Sequence, residues 1–432
     1  MQKKFVVFGL ACACLLSGCL PAWAAEATAH AEVSLRQVEQ YNYSIHILAM
    51  LLVGFGFLMV FVKKHGYGAT TGTYLVVGVG IPLYLLLRST GAISAEAMAP
   101  SSIHVLLLAE FACASALIAM GAVLGRLRVY QYAAIAALLV PAYMVNEWLV
   151  LDGGLGVTKG FVDTAGSIVI HAFGAYFGLG LCVALTRAKH VEQPIESDET
   201  SDRFSMLGSM VLWIFWPSFC SAVAPSEQMP RTVINTILAL CGATLATYAL
   251  SALLRKGRPL FSDMANAALA GGVGVGATCN VISAPGAFAI GILAGAICVV
   301  GYVFVQPRIL ARLKIVDTCG VHNLHGMPGL MGGFVAVLVV PGIAKAQLTG
   351  IGVTVVLALV SGLGCGYLIR ATGKKRLAYE DRDEFAGAWE QSHECLNRIN
   401  AQPRAARPGQ LCAAGSHARQ PVGHPGEAVS HR

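Results

Sequence analysis

Long apolar stretches alternate with short polar, often basic, breaks from about residue 44 to residue 369. A bilayer's hydrocarbon core takes about 20 apolar residues per crossing helix. By that measure the pattern predicts eleven membrane-spanning helices, at about 44–62, 70–87, 103–125, 132–151, 165–186, 205–224, 233–254, 263–282, 287–305, 318–340 and 348–369. The eighth is glycine-rich and only weakly apolar. The expected class is therefore an all-α polytopic membrane protein.

The two ends differ from the middle. Residues 1–24 combine Lys3 and Lys4, an apolar run from Phe5 to Leu16, and Ala22-Trp23-Ala24 ahead of Ala25. This predicts a cleaved secretory signal peptide, too short and wrongly flanked to span stably. Leu16-Ser17-Gly18-Cys19 also matches a bacterial lipobox, leaving lipidation at Cys19 as the alternative. Either reading puts the mature N-terminus on the non-cytoplasmic side. Beyond Arg376 the chain is polar, and 402–432 is rich in Pro, Gly, Ala, Arg and His without periodicity, the composition of a disordered tail. The expected division is a signal peptide at 1–24, a transmembrane domain at 40–376 and a cytoplasmic tail at 377–432.

Charge supplies an independent test of orientation. With the N-terminus outside, the cytoplasmic breaks hold Lys63/Lys64, Arg126/Arg128, Arg187/Lys189, Arg255/Lys256/Arg258, Arg308/Arg312/Lys314 and Lys374/Lys375/Arg376. The opposite breaks hold mainly Glu96, Asp152, Lys159, Glu227, Arg231 and Lys345. This is the positive-inside bias. It predicts N-out, C-in insertion, with a periplasmic N-terminus and a cytoplasmic C-terminus in a bacterial inner membrane.

Composition narrows the class further. Of 432 residues, 56% are hydrophobic and 12% charged, against roughly 25% charged in soluble domains. Mean hydropathy is +0.65. A soluble enzyme is excluded, and so is a solvating disordered chain. The net charge of +7 sits in loop clusters rather than a nucleic-acid-binding face. The 13 cysteines form no Cys-x-x-Cys, and most lie within apolar runs, so neither a disulfide frame nor a metal site is expected. No Walker loop, dinucleotide fingerprint or nucleophile elbow in context is present, and no cofactor is expected.

Two segments repeat. Asp163-Thr-Ala-Gly-Ser-Ile-Val-Ile-His171 and Asp317-Thr-Cys-Gly-Val-His-Asn-Leu-His325 both read Asp-Thr-x-Gly, four residues, then His. They open the fifth and tenth spans from opposite faces, which makes spans one to five and six to ten an inverted repeat, a transporter plan with its site at the midplane. Eight residues at 1.5 Å rise carry each His about 12 Å inward, near the middle of a roughly 30 Å core. The two imidazoles are expected to meet. Asp163 and Asp317 stand where helix N-caps belong, with cation attraction at the outer mouth a further role for Asp163. Paired ionisable groups at this depth mark a pathway. His322 is read as supporting structure. A metal bound through His171, His322 and His325 would lack a carboxylate or thiolate at ligand spacing.

The segments Asp163 to Gly178 and Asp317 to Gly329, with Leu212-Trp-Ile-Phe-Trp-Pro-Ser-Phe219 and Tyr379-Glu-Asp-Arg-Asp383, resemble the Rhesus (Rh) branch of the ammonium transporter superfamily. The resemblance covers roughly 40–385. It implies a homotrimer in the lipid bilayer with one pore per subunit, carrying ammonium nitrogen as neutral ammonia. It also implies that the twin pore histidines fall on His171 and His325, and two stacked gate phenylalanines on Phe111 and Phe219. There are departures. Leu151 stands where classical ammonium transporters carry an outer Trp, with Trp148 almost a turn away, and Cys220 follows Phe219 where Rh relatives carry Asn. Methylammonium is a natural surrogate. A carbon dioxide channel in the same fold, and an ammonium sensor signalling through 387–432, are the alternative readings.

Overall fold

The first helix begins well before its apolar stretch. Ser34 and Gln37 form a reciprocal capping box, the Gln37 N–H donating to Ser34 Oγ at 3.2 Å and the Ser34 N–H to Gln37 Oε1 at 2.8 Å. Two orphan donors are thereby satisfied, and α1 runs Leu35–Phe61 rather than starting near residue 44. Hydropathy missed this turn because Arg36, Gln37, Glu39 and Gln40 fill it. The computed structural model describes residues 34–93, 97–187, 191, 195–372 and 379–385. The expected signal peptide, the Cys19 lipobox and most of the tail lie outside these.

The remaining helices are α2 Lys63–Thr90, α3 Ile103–Ala122, α4 Val129–Val150, α5 Ser167–Leu185, α6 Glu199–Ser221, α7 Ser226–Leu254, α8 at 261–275, α9 Ala284–Leu313, α10 at 322–339 and α11 Ala344–Thr372. A short α12, Asp381–Glu384, follows. Among the described residues there is no strand. Nine of these helices are long and apolar enough to cross a membrane. The chain is a multi-pass membrane protein.

The other two, α8 and α10, are where the apolar pattern overstated the helix. The eighth segment stops at Val275 instead of 282, and is itself broken between Ala267 and Ala270. Its last residues turn aside because Gly276 O accepts the Ala165 N–H at 2.9 Å and the Ala277 N–H donates to Ser167 Oγ at 2.8 Å. The tenth starts at His322 instead of 318, since Gly320 at φ +69° cannot be helical. Gly166 at φ +72° delays α5 in the same way. An L side chain rarely adopts that backbone, so the glycine of each Asp-Thr-x-Gly motif fixes where its helix begins.

Packing follows the repeat. The α2/α4 pair in the first half matches α7/α9 in the second, and α3/α5 matches α8/α10. The halves join where α1 crosses α6 and where the start of α5 meets α10. Thr186, just past the end of α5, lies beside the start of α10, its Oγ accepting the Val316 N–H at 3.3 Å, so α5 and α10 run antiparallel. Burial sorts the helices radially. The apolar windows of α3 and α5 are 89% and 94% buried, while α2, α7 and α11 are 33% buried, with Tyr74, Leu253 and Val360 pointing outward. The innermost of these helices are α3 and α5.

Beyond α11, residues 379–384 return to the helical body. The Tyr379 N–H donates to Gly125 O at 2.8 Å, and the Asp381 carboxylate accepts the N–H groups of Tyr67 and Gly68 at 2.7 and 2.8 Å. The compact unit ends at Glu384, so the short run after residue 376 includes a structural return.

The α1/α6 crossing has no room for side chains. A Cβ on Gly208 would lie 2.6 Å from Gly54 O, a backbone atom that cannot swing aside. Gly208→Ala should therefore destabilise by about 1–3 kcal/mol. Gly352→Ala, on the open side of α11 with nothing within 4 Å, should be neutral or gain up to about 1 kcal/mol in helix propensity. Thermal unfolding in detergent checks both; equal midpoints for the two variants would contradict the close crossing.

Candidate functional site: a buried histidine pair beneath two phenylalanines

Each repeat motif builds its own helix start. Asp163 Oδ2 accepts the N–H groups of Ile168 and Val169 at 3.0 and 2.8 Å. Asp317 spreads the task over both oxygens, Oδ1 taking the Val321 N–H and Oδ2 the His322 N–H, each at 3.0 Å. Both aspartates are caps, each followed three residues later by its left-handed glycine. The next turn in each case is a π turn, Ser167–Ala172 and His322–Gly326. Such wide turns are frequent at functional sites. Here they carry His171 and His325.

The two imidazoles meet at the centre. His171 Nδ1 lies 3.2 Å from His325 Nδ1, with the rings 9° from parallel and centroids 5.3 Å apart. Both side chains are buried. One Nδ1 must donate and the other accept, so the bond holds one proton between two otherwise neutral rings. His171 Nε2 has no hydrogen-bond partner among the described residues. That atom is available to a small polar molecule beside it.

Phe111 on α3 and Phe219 on α6 touch, with ring centroids 4.6 Å apart at 53°. Phe219 also lies 5.9 Å from the His171 ring, so the phenylalanine pair and the histidine pair form one continuous stack. Sequence reading missed two neighbours. Trp216 stacks on His171 at 5.6 Å and 20°, and Phe55 stacks on His325 at 6.2 Å and 26°. Trp216 had a signal, since it stands one turn before Phe219 on the same helix face. Phe55 had none, because α1 is joined to α10 by the fold alone. Past His325 a narrow cavity of about 20 Å³ continues toward the Asp317 face, lined by Phe55, Leu117, Ile118, Leu324 and Asn266. The walls are apolar except for Asn266. His322 packs against Tyr176, edge to face at 5.7 Å.

The expected positions at the Asp163 face can also be placed. Leu151 is 45% exposed at the end of α4, and the Trp148 ring lies instead over Gly154. Cys220 is fully buried, so its side chain does not line an open mouth.

An antiparallel pair of helices, each delivering one imidazole to a buried centre between α3 and α8, is the architecture of a polytopic channel or transporter. Comparison with known proteins gives the particular family. The Ammonium Transporter Family model matches residues 34–395. The chain is 41% identical to the ammonium transporter Rh type B of Oryctolagus cuniculus over 323 residues, 72% of this chain and 68% of the relative. It is 39% identical to the mouse (Mus musculus) Rh type B protein over 364 residues, 76% and 77% of the two chains. Among solved structures it is similar to Nitrosomonas europaea Rh50, studied for the mechanism of conduction by the Rhesus family of channels, at 63% identity and TM-score 0.81 over 84% of this chain and 97% of that one. A sensor Amt protein shares the fold at 18% identity and TM-score 0.66, covering 85% and 98% of the two chains. The chain belongs to the ammonium transporter family, on its Rh branch.

The motif caps are separable from any charge they carry. Asp163→Ala removes the acceptor for two N–H groups and should cost about 0.5–2 kcal/mol, whereas Asp163→Asn retains a capping oxygen and should cost much less. Unfolding midpoints of the purified variants test this; equal losses for Ala and Asn would rule out capping as the role of the side chain.

Proposed function

We propose that this Rh-branch member carries ammonium nitrogen across the membrane as neutral ammonia, through a pore gated by Phe111 and Phe219 and lined at its centre by His171 and His325. The observation that carries the reading is the buried Nδ1···Nδ1 contact of 3.2 Å directly beside the phenylalanine pair. It offers hydrogen bonds without a net charge. In the proposed orientation the N-terminus is periplasmic, the C-terminus cytoplasmic and the number of crossings eleven, with the Asp163 face outside. Residues 1–24 are a signal peptide in the same reading, and the protein works as a homotrimer with one pore per subunit.

The physics favours the neutral species. An ion entering a dry channel faces an idealised Born cost of order 20 kcal/mol, several kcal/mol after relaxation. Ammonia forfeits only a few kcal/mol, on the scale of an unpaired polar group, and the imidazole nitrogens return part of that. Ammonium and potassium have similar size and charge, so excluding both is the simplest way to avoid a potassium leak. Ammonium gives up its proton to bulk water at the Asp163 mouth, ammonia passes Phe111 and Phe219, crosses the histidine pair and takes a proton back from water beyond the Asn266 cavity. The protein acts as a transporter and not as an enzyme, since the substrate leaves chemically as it entered. The carbon dioxide and sensor readings are not favoured by the family to which the chain belongs.

Flux through proteoliposomes tests the scheme. Methylammonium uptake should be insensitive to potassium, and potassium conduction by the purified protein would end the reading. His171→Ala or His325→Ala should lower flux about two- to tenfold, as expected for one hydrogen bond worth about 0.5–1.5 kcal/mol, without admitting potassium. Because the rings touch, the double Ala variant should lose less than the sum of the two. His171→Asp sets a carboxylate beside an imidazole, favours a protonated pore and should relax discrimination against potassium.

A further inference from the structure

The inverted repeat makes the two ends of the pathway alike in backbone but not in charge. At one end the Ala165 N–H donates to Gly276 O at 2.9 Å; at the other the Cys319 N–H donates to Gly121 O at 3.2 Å. Each contact fixes an Asp-Thr motif against the end of the helix opposite. What that helix then offers the motif differs. At the Asp163 face, Thr164 Oγ donates to Asn280 Oδ1 at 2.8 Å, and Asn280 Nδ2 donates to Gln228 Oε1 at 2.8 Å, a neutral chain throughout. At the Asp317 face the partner of Thr318 is a cation: Arg126 Nη2 donates to Thr318 Oγ at 2.6 Å, and its Nη1 to Ala122 O at 2.9 Å.

Arg126 is 9% exposed, held behind the wall of the narrow cavity formed by Gly121 and Cys319. Through its bond to Thr318 the guanidinium is held beside the residue that follows Asp317. Asp163 has no such cation; its interactions among the described residues are with backbone N–H groups. The carboxylates themselves reinforce the contrast. Both oxygens of Asp317 are engaged by N–H groups, while Asp163 Oδ1 is buried with no hydrogen-bond partner among the described residues. One mouth keeps an uncompensated carboxylate with a free oxygen. The other has both carboxylate oxygens occupied and a positive charge bonded to the residue next to it.

We propose that Arg126 is a specificity-determining residue that neutralises Asp317, so that the two mouths made alike by the repeat differ in their hold on cations. Ammonium is then concentrated at the Asp163 mouth and released from the Asp317 mouth, and a potassium ion arriving at the latter meets no net negative site. Arg126 touches no transported molecule in this scheme; it acts through Asp317 and the wall behind it. The inference rests on the proposed pore reading and extends it to a residue outside the stack.

The test is sided transport. Half-saturating methylammonium is measured for uptake into right-side-out and inverted membrane vesicles of cells expressing the full chain. In inverted vesicles, which present the Asp317 mouth to the medium, Arg126→Gln should lower the half-saturating concentration about tenfold, as one charge removed at several ångströms does in an effective dielectric near 20. Right-side-out vesicles should respond as wild type. Asp317→Asn, which keeps a capping oxygen, should move the inverted value upward, and Arg126→Gln/Asp317→Asn together should return it. Arg126→Lys should rescue the single Gln variant, which a role in packing would not predict. Equal shifts in both vesicle polarities, or no return in the double variant, would overturn the inference. If Arg126→Gln does not reach the membrane, Asp317→Asn decides alone: a one-sided rise supports the assignment, and no change defeats it. Failure of the pore reading looks different, since uptake would then survive His171→Ala unchanged in both polarities.

Discussion

A polar atom in the middle of a bilayer has no water to fall back on, and leaving one unpaired costs several kcal/mol. The pairing of His171 Nδ1 with His325 Nδ1 answers that constraint for two buried side chains carried by antiparallel helices. The surrounding elements serve this contact. α5 and α10 must start late, run antiparallel and approach closely, and the cap, the left-handed glycine and the π turn at each start deliver those three conditions.

The same constraint explains why the helices around the pair are the irregular ones. α8 ends early because backbone groups there are engaged elsewhere: Gly276 O and Ala277 N–H both bond the Asp163 motif, and Val273 O accepts from Ser167 Oγ at 2.7 Å. Helix is given up only where side chains and neighbouring backbone take over its hydrogen bonds. The outer helices are longer and run on without such breaks, although α1 and α9 each widen into a π turn, at Met50–Phe55 and Gly301–Val305.

An inverted repeat imposes shape symmetry without imposing chemical symmetry. The motif aspartates occupy equivalent places and cap equivalent turns, yet the threonine after one bonds Asn280 and the threonine after the other bonds Arg126. A membrane transporter works between unlike compartments, so a difference confined to side chains at the mouths lets one backbone plan serve both. The centre needs no such difference, and there the two histidines are held in nearly parallel, mutually bonded rings.

By itself the sequence determined the all-helical membrane class, the central stretches of most helices, the repeat and the identity of the two histidines. Apolar length, loop charge and motif spacing are local quantities, and one strand of text carries them in full. It determined the ends of helices less well. The polar start of α1 depends on a capping box, and the early stop of α8 depends on what Gly276 and Ala277 bond. The Phe111–Phe219 contact was reached through resemblance, since nothing in spacing joins α3 to α6. Only the tertiary structure decided that Trp216 and Phe55 flank the imidazoles, that residues 379–384 return to Gly125 and α2, and that Arg126 bonds Thr318. Each of these joins residues from separate helices, and which helices become neighbours is set by packing around a shared core, a property that no single segment contains.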